Sequence, residues 1–347
     1  MTIRRRYFLS LAGAIVAAPA VIRMASAQTP QVTLKLHHFL SPVANAHTRL
    51  LAPWARKVEA DSAGRIRIDI YPSMQLGGSP PQLYDQARDG VADIVWTLPG
   101  ATPGRFPKIE VFELPFVANK RAIVNAQAVQ ALYEAQLRDE FKDVQPLCLW
   151  AHDHGVIHTS KQVKSIEDMR GLKLRSPTRL AGEALKALGA NGVLMPVTQV
   201  ADALTHRAID GCVVPWEVVP AIKVQEAVKF HTAFVGSPTL YTATFILAMN
   251  KRKYDAMPGD LRKIIDQNAG QAAAQVAGKM WDEQAVVVED MVAKRGNTIT
   301  QLEKVEIDRW RKAAQPVIDA WLKSAKGFNS EKLLADAKAM MAKYDKA

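Results

Sequence analysis

The sequence contains very little cysteine: Cys148 and Cys212 are the only two in 347 residues. Neither belongs to a zinc-binding spacing or to a C-x-x-C redox motif. Both lie in apolar, strand-like stretches, and a chain of this length can bury a core without disulfides. We therefore expect two buried free thiols. The alternative is a disulfide between them, which an oxidising compartment would permit.

Three further kinds of motif are absent from the sequence. It has no glycine-rich phosphate-binding loop and no G-x-S-x-G nucleophile turn. Its lysines and arginines are interleaved with acidic residues rather than gathered in a basic stretch with aromatics. The formal net charge of +11 therefore does not indicate a nucleic-acid partner.

The amino terminus carries the pattern of an export signal. Arginines at positions 4–6 precede an apolar run over residues 7–22, and Ala25-Ser26-Ala27 supplies a small-x-small cleavage pattern. We predict a signal peptide over residues 1–27, cleaved after Ala27, and a periplasmic protein. Residues 5–10 (RRYFLS) resemble a twin-arginine signal. The alternative, an anchoring helix, is disfavoured because Gly13 and Pro19 interrupt a run shorter than the roughly 20 residues that span a bilayer.

Cleavage would leave a mildly basic protein. Residues 1–27 hold four arginines and no acids, so the formal net charge falls from +11 to +7. A positive field of this kind attracts acidic solutes over long range. Charge alone does not identify the ligand.

Strand-like and helix-like segments alternate along the mature chain, which predicts an α/β fold with largely parallel sheets. The first half has strands near 32–38, 66–70 and 91–97 and helices near 46–61 and 80–89. Residues 147–157 contain two strand-like segments. The second half has strands near 172–174, 193–196 and 209–214 and helices near 181–188 and 199–207.

The domain organisation is predicted to be two lobes with a hinge and a cleft, because no flexible linker divides the chain. We expect lobe I to contain residues 28–152 and about 241–281. Lobe II would contain about 153–240 and 282–347. From about Asp260 to Arg295 the chain is Ala-rich and lacks proline, which predicts one or two long helices lying across both lobes.

The stretch Gly171–Pro177 (GLKLRSP) contains the strongest candidate ligand-binding residue. Arg175 follows a short strand, and in α/β folds the carboxyl end of a strand faces the crevice that binds ligands. A guanidinium holds a carboxylate through two parallel hydrogen bonds. Ser176 adds a hydroxyl next to it. The alternative for Arg175 is a surface ion pair.

Six segments resemble, in order and spacing, the periplasmic receptors of tripartite ATP-independent (TRAP) transporters of the DctP-like type. They are 68–72 (IDIYP), 75–78 (QLGG), 88–93 (RDGVAD), 112–116 (FELPF), 171–177 (GLKLRSP) and 208–211 (AIDG). The resemblance implies a clamshell of two α/β lobes that closes over a ligand. It also implies a receptor rather than an enzyme, no cofactor, delivery to an ion-driven membrane permease, and pairing of Arg175 with the ligand carboxylate.

The sequence also departs from better-known members of that family. Many carry an asparagine where this chain has Val214, so a polar ligand contact is lost there. The sialic-acid-binding members have a second arginine where this chain reads HDHG at residues 152–155. Both differences disfavour a ligand with many hydroxyl groups.

Aromatic residues follow the predicted strands at the crevice side. Trp96 and Thr97 end one strand, Trp216 follows another, and Phe39 follows the first. Each ring either packs in the core or stacks on the ligand. We predict a small monocarboxylate with an apolar or aromatic body, such as a 2-oxo or 2-hydroxy acid, whose second oxygen contacts Arg175, Thr97 or a histidine. The alternative ligand is a uronic acid.

His152 and His154 share one face if residues 152–154 form a strand. Such a pair can chelate zinc, which would suit a metal-dependent periplasmic hydrolase. The sequence offers no obvious third ligand, so we predict no metal. We expect His154 to form a hydrogen bond at the cleft, and the remaining alternative is a buried histidine satisfied by its neighbours.

Overall fold

The computed structural model describes residues 29–346. The predicted export signal over residues 1–27, with its cleavage site, lies outside this range. Within it, the helices are too short or too polar to cross a membrane.

The strands form two sheets, one in each lobe. They are β1 (Val32–His38), β2 (Ile66–Tyr71), β3 (Ile94–Thr97), β4 (Gln145–Ala151), β5 (Val156–Thr159), β6 (Lys173–Ser176), β7 (Asn191–Leu194), β8 (Gly211–Val214), β9 (Phe230–Phe234), β10 (Thr244–Met249) and β11 (Thr298–Leu302). The first sheet has the order β2-β1-β3-β10-β4, and the second has the order β11-β9-β5-β8-β6-β7. The α/β, two-lobed fold predicted from the sequence is confirmed.

Both sheets are mixed, which corrects the expectation of largely parallel sheets. In the first, β1 pairs in parallel with β2 and β3, whereas β10 is antiparallel to β3 and β4. In the second, β5 is antiparallel to β8 and β9, and the remaining pairs are parallel. The prediction failed here because side-chain alternation marks a strand but does not encode its direction. Strand β10 enters the first sheet after the chain has passed through the second.

The α-helices cover the faces of these sheets. They are α1 (Ala52–Asp61), α2 (Leu83–Asp89), α3 (Ala122–Leu132), α4 (Arg179–Ala187), α5 (Val200–Thr205), α6 (Val224–Ala227), α7 (Lys251–Asp255), α8 (Gly259–Gln267), α9 (Gly270–Lys294), α10 (Lys304–Ser324) and α11 (Ser330–Asp345). A π-helical turn over Ala46–Leu51 precedes α1. Pro53 lies in the first turn of α1, directly after this π-helical turn.

The long carboxyl-terminal helices cross between the lobes, as predicted. Helix α9 packs on α3 and β4 of the first lobe and on the turn Trp216–Val218 that follows β8 of the second. Helix α10 places Trp310 in an apolar cluster made mostly of second-lobe residues, and Trp321 in a larger apolar cluster that contains residues of both lobes. The two lobes are therefore joined by helix packing as well as by chain connections.

The two cysteines are buried free thiols, as predicted. Cys148 lies in β4 and Cys212 in β8, so they belong to different sheets. Burial raises the pKa of the Cys212 thiol to about 12, which keeps it protonated and unreactive at neutral pH.

Candidate functional site

A cavity of about 200 Å³ lies between the two lobes. Phe39 and Trp96 from the first lobe and Arg175 and Val214 from the second contribute to its wall. These four belong to the eight residues predicted to bind the ligand. The other four predicted residues, which are Thr97, His154, Ser176 and Trp216, do not line it.

Arg175 is held in place at the end of β6. Its side chain is buried, with 4% of the residue exposed. The Nε–H donates to the carbonyl oxygen of Met195 (2.9 Å), and Nη1–H donates to the carbonyl oxygen of Val213 (3.1 Å). These bonds fix the plane of the guanidinium and leave Nη2 without a hydrogen bond to the rest of residues 29–346.

The charge of Arg175 has no carboxylate partner among residues 29–346. Burial lowers the pKa of its guanidinium, and Tyr241 acts in the opposite direction. Arginine nevertheless remains protonated in proteins. A buried charge without a counter-ion destabilises a fold by several kcal/mol. An anion in the adjacent cavity would remove that penalty.

Aromatic rings form one wall of the cavity. Phe39 stacks on Trp96 with a centroid distance of 4.8 Å and an interplanar angle of 23°. Phe245 lies 5.2 Å from Trp96 and 5.5 Å from Trp281. All four residues line the cavity. Such rings favour a flat or apolar ligand body over one covered with hydroxyl groups.

Thr97 and Ser176 lie outside the cavity because each follows a residue that faces it. Successive side chains of a strand point to opposite sides. Because Trp96 and Arg175 face the cavity, the next residues, Thr97 and Ser176, face away from it. The Thr97 hydroxyl donates to the carbonyl oxygen of Pro80 at 3.4 Å. The Ser176 hydroxyl faces α4, where a Cβ built on Gly182 would lie 3.0 Å from its Oγ.

Trp216 is fully buried and does not line the cavity. Its ring lies 5.2 Å from that of His158 and 5.4 Å from that of His231. The two histidines contact each other through their Nδ1 atoms at 2.7 Å. The alternative of a core-packed ring, which the sequence left open, applies to Trp216.

The hydrogen bonds of His158 and His231 determine which ring nitrogen of each carries the proton. His158 Nε2–H donates to the carbonyl oxygen of Val214 (3.2 Å), so its Nδ1 must accept from Nδ1–H of His231. The Nε2 atom of His231 then accepts from the side-chain amide of Asn297 (3.0 Å). Burial lowers the pKa of His231 to about 4, which keeps this neutral arrangement at physiological pH. This series of hydrogen bonds, from Asn297 through His231 and His158, supports the backbone of Val214 at the cavity wall.

Residues 152–155 connect β4 to β5 and are not part of a strand, so His152 and His154 do not share a strand face. His152 Nδ1–H donates to the carbonyl oxygen of Asp153 (2.6 Å), and its Nε2 accepts from the N–H of Ala243 (2.9 Å). Both nitrogens are engaged, so His152 offers no lone pair to a metal. Residues 29–346 contain no group of three or more His, Cys, Asp or Glu side chains placed to hold a metal ion.

His154 is buried beside Asp153 and does not line the cavity. Its Nδ1 lies 3.6 Å from the Asp153 carboxylate. Burial lowers the pKa of His154 to about 4 and raises the pKa of Asp153 well above its usual value. The His154 side chain is therefore neutral at pH 7.

Several cavity residues escaped the sequence analysis. Tyr241 lies in the irregular segment between β9 and β10, and Trp281 lies in α9, where no motif marks it. Glu217 and Phe245 also line the cavity. The one related feature visible in the sequence is the glycine at position 155. The Tyr241 ring covers it so closely that a Cβ there would lie 1.7 Å from the ring.

The cavity therefore has few polar groups. Burial raises the pKa of the Tyr241 hydroxyl, while Arg175 acts on it in the opposite direction, so Tyr241 and Arg175 are electrostatic neighbours. Glu217 provides a carboxyl group whose pKa is raised to about 7 by burial. The rest of the wall is largely aliphatic and aromatic.

Several solved structures are similar to this protein over most of its length. A TRAP solute-binding protein from Rhodoferax ferrireducens, solved with copurified benzoate, has a TM-score of 0.88 and 45% identity, covering 90% of this chain and 98% of that chain. A marine metagenome TRAP solute-binding protein specific for aromatic acid ligands, solved with 3-hydroxybenzoate, has a TM-score of 0.89 and 43% identity, covering 91% and 100%.

A third similar structure is the TRAP periplasmic solute-binding protein from Bordetella bronchiseptica with bound (R)- and (S)-mandelate. It has a TM-score of 0.83 and 26% identity, and covers 90% of this chain and 99% of that chain. The profile of the DctP family, described as bacterial extracellular solute-binding protein, family 7, matches residues 36–324. The chain therefore belongs to this family and is a TRAP-type solute-binding protein.

Proposed function

We propose that this receptor captures a small aromatic monocarboxylate in the periplasm and delivers it to a TRAP-type membrane permease. One observation carries the proposal: Arg175 is a buried cation without a carboxylate partner in residues 29–346, and it borders an apolar cavity. The ligand carboxylate would supply the missing counter-charge. The ring would lie against Phe39, Trp96, Phe245 and Trp281.

Recognition of the carboxylate follows from how Arg175 is fixed. Because Nε and Nη1 are already bonded to backbone carbonyls, the guanidinium does not need to be ordered when the ligand binds. Its remaining N–H groups form charge-assisted hydrogen bonds with a carboxylate. The nearby hydroxyl of Tyr241 can contact a second oxygen, which keeps 2-hydroxy and 2-oxo acids with an aromatic body within the proposed class.

A uronic acid is a weaker candidate for this cavity. Its ring hydroxyls would need several partners, and each buried hydroxyl without one costs roughly 1–3 kcal/mol. Val214 and the aromatic rings provide apolar contacts instead. The known ligands of the similar proteins, benzoate, 3-hydroxybenzoate and mandelate, support an aromatic acid.

The proposed cycle requires export and lobe closure. We propose cleavage after Ala27, and closure of lobe I (28–152 and about 241–281) against lobe II (about 153–240 and 282–347). Support for these boundaries comes from β10, which lies between β3 and β4 in the first sheet, and from β11, which pairs with β9 in the second. Helix α11, by contrast, packs on α3 of the first lobe. Ligand release to the permease would follow reopening.

The proposal can be tested by calorimetry on the mature protein with benzoate, 3-hydroxybenzoate, mandelate, a dicarboxylate and a uronic acid. We expect the aromatic acids to bind and to raise the melting temperature, since a ligand at 100 times its Kd stabilises by about 2.7 kcal/mol. Arg175→Met should weaken binding at least about 30-fold, because removal of a buried charged partner costs about 2–5 kcal/mol. The affinity of Arg175→Lys should lie between those of the wild type and Arg175→Met, since a lysine keeps the charge but lacks the planar fork.

Arg170→Ala provides the matched control, because Arg170 is exposed and is near Arg175 in sequence but outside the cavity lining. It should bind like the wild type. Unchanged affinity in Arg175→Met would contradict the role of the arginine. Binding of the uronic acid alone would contradict the aromatic ligand, and stoichiometric zinc with hydrolase activity would favour the alternative enzyme.

A further inference from the structure

Glu217 is a buried acid at the cavity wall. Only 2% of the residue is exposed, and it lines the same cavity as Arg175. The aromatic-acid proposal gives it no role. A carboxyl group in such a place requires an explanation, because burying it without full hydrogen bonding destabilises the protein.

The contacts of Glu217 account for only part of its hydrogen-bonding capacity. Its Oε1 accepts the backbone N–H of Ala46 at 2.8 Å, and its backbone carbonyl accepts the side-chain amide of Asn45 at 3.0 Å. Both partners belong to the first lobe, whereas Glu217 follows β8 of the second. Within residues 29–346, the second carboxyl oxygen, Oε2, has no hydrogen-bond donor and the group has no cationic partner.

Glu217 and Arg175 occupy distinct electrostatic positions. Arg175 donates to the carbonyl oxygens of Met195 and Val213, whereas Glu217 accepts from the N–H of Ala46, and the two side chains form no ion pair within residues 29–346. The cavity thus has a cationic recognition point at Arg175 and a separate carboxyl group. A ligand that satisfies both needs a carboxylate and a second polar group.

We propose that Glu217 is a specificity-determining residue that selects aromatic acids bearing a hydroxyl group on the ring over acids of equal size with an apolar substituent. This inference rests on the proposed function. The hydroxyl would form its hydrogen bond with Oε2, while Oε1 remains bonded to Ala46.

The chemistry of a hydroxyl matches this carboxyl group in both protonation states. A phenolic hydroxyl donates to an ionised carboxylate and accepts from a protonated one. A methyl group of similar size can do neither, and it would leave Oε2 buried without a partner. A second carboxylate on the ligand would face an acid that has no nearby cation, so dicarboxylates are disfavoured.

The test compares matched ligands and two variants. Isothermal titration calorimetry would measure Kd for 2-, 3- and 4-hydroxybenzoate, each against the methylbenzoate substituted at the same position. In the wild type, we expect one hydroxyl isomer to bind about 10-fold more tightly than its methyl counterpart, which corresponds to about 1.4 kcal/mol. Glu217→Met should reduce that ratio to near one.

Glu217→Gln is the second variant, because its amide oxygen can still accept from Ala46 and its NH₂ can still bond a hydroxyl. It should retain part of the hydroxyl preference. Equal affinities for all three matched pairs in the wild type would overturn the inference, and this comparison does not depend on a variant that folds. Retention of the full preference in Glu217→Met would also overturn it.

These outcomes separate the inference from the proposed function. If the benzoates bind and Arg175→Met abolishes binding, but the hydroxyl preference is absent, the receptor proposal stands and the role of Glu217 falls. If none of the benzoates binds, the proposed function itself fails.

Discussion

Neighbouring residues at two strand ends have opposite environments. Trp96 and Arg175 line the cavity, whereas Thr97 and Ser176 are buried elsewhere. The physical cause is the two-residue period of a strand, which allows only one of two adjacent side chains to face a given side. The sequence pattern placed the end of β3 correctly at Thr97 and the end of β6 two residues early, at 174 instead of Ser176. It could not choose which side chain at each strand end faces the cavity.

Gly155 allows a test at the scale of one residue. A Cβ at this position would lie 1.7 Å from the Tyr241 ring, so Gly155→Ala must displace a residue of the cavity wall. We expect a loss of about 1–3 kcal/mol in the free energy of unfolding, as for other overpacked sites, and weaker binding of benzoate. Urea unfolding and calorimetry would measure the two effects.

Gly259→Ala is the control for that substitution. Gly259 begins α8, and a Cβ there would meet nothing within 4 Å. It should change stability by no more than about 0.5 kcal/mol. If Gly155→Ala behaved like this control, the close packing of Tyr241 on residue 155 would be refuted.

At the scale of elements, helix α9 is bound closely to α3. The Asp282 carboxylate of α9 accepts the N–H groups of Ala122 (2.6 Å) and Ile123 (3.0 Å), which are the first residues of α3. These donors have no partner within their own helix. One turn earlier, Gly278 allows the two backbones to approach, since a Cβ on it would lie 2.5 Å from Cα of Ile123. Helix α9 also supplies Trp281 to the cavity.

Gly278→Ala should therefore destabilise the protein although alanine has the higher helix propensity. The added methyl meets backbone atoms that cannot move independently, so we expect a cost of about 1–3 kcal/mol. Chemical denaturation would provide the measurement. Val286→Ala on the same helix is the control, because Val286 is 70% exposed and should change stability by about 0.5 kcal/mol or less. A stabilising effect of Gly278→Ala would show that the helices are not in close contact.

At the scale of the whole molecule, polar contacts join the two lobes. Arg179, at the start of α4 in the second lobe, donates through Nη2 to the Glu110 carboxylate of the first lobe at 2.7 Å. Burial raises the pKa of Glu110, and Arg179 opposes that shift. This ion pair favours the arrangement in which the lobes enclose the cavity.

Arg179→Ala is expected to weaken ligand binding without removing any group from the cavity. A partly exposed ion pair contributes at most about 1 kcal/mol, so the Kd for benzoate should rise up to about 5-fold. Calorimetry would report the affinity, and small-angle scattering would report whether the ligand-free protein becomes more open.

Arg309→Ala is the corresponding control. Arg309 pairs with Glu167 and Glu306, which both belong to the second-lobe part of the chain, so no contact between lobes is lost. The Kd of Arg309→Ala for benzoate should equal that of the wild type. An equal change in both variants would show that the Arg179 pair has no specific effect on closure.

The sequence by itself determined the family, the α/β class and the approximate position of most strands and helices. These properties depend on local signals: alternation of apolar residues, glycines at turns, and short motifs such as GLKLRSP at 171–177. Arg175 was found in the same way, because its motif, strand end and side-chain chemistry are all visible within a few residues.

Only the tertiary structure decided the composition of the cavity and the directions of the strands. Tyr241, Glu217 and Trp281 come from a loop, a short turn and a long helix, and no local pattern joins them to Arg175. The hydrogen bond from Ala46 to Glu217 spans 171 positions in the chain. Such contacts arise from the packing of whole elements, and hydrophobic periodicity carries no information about which distant element will be the partner.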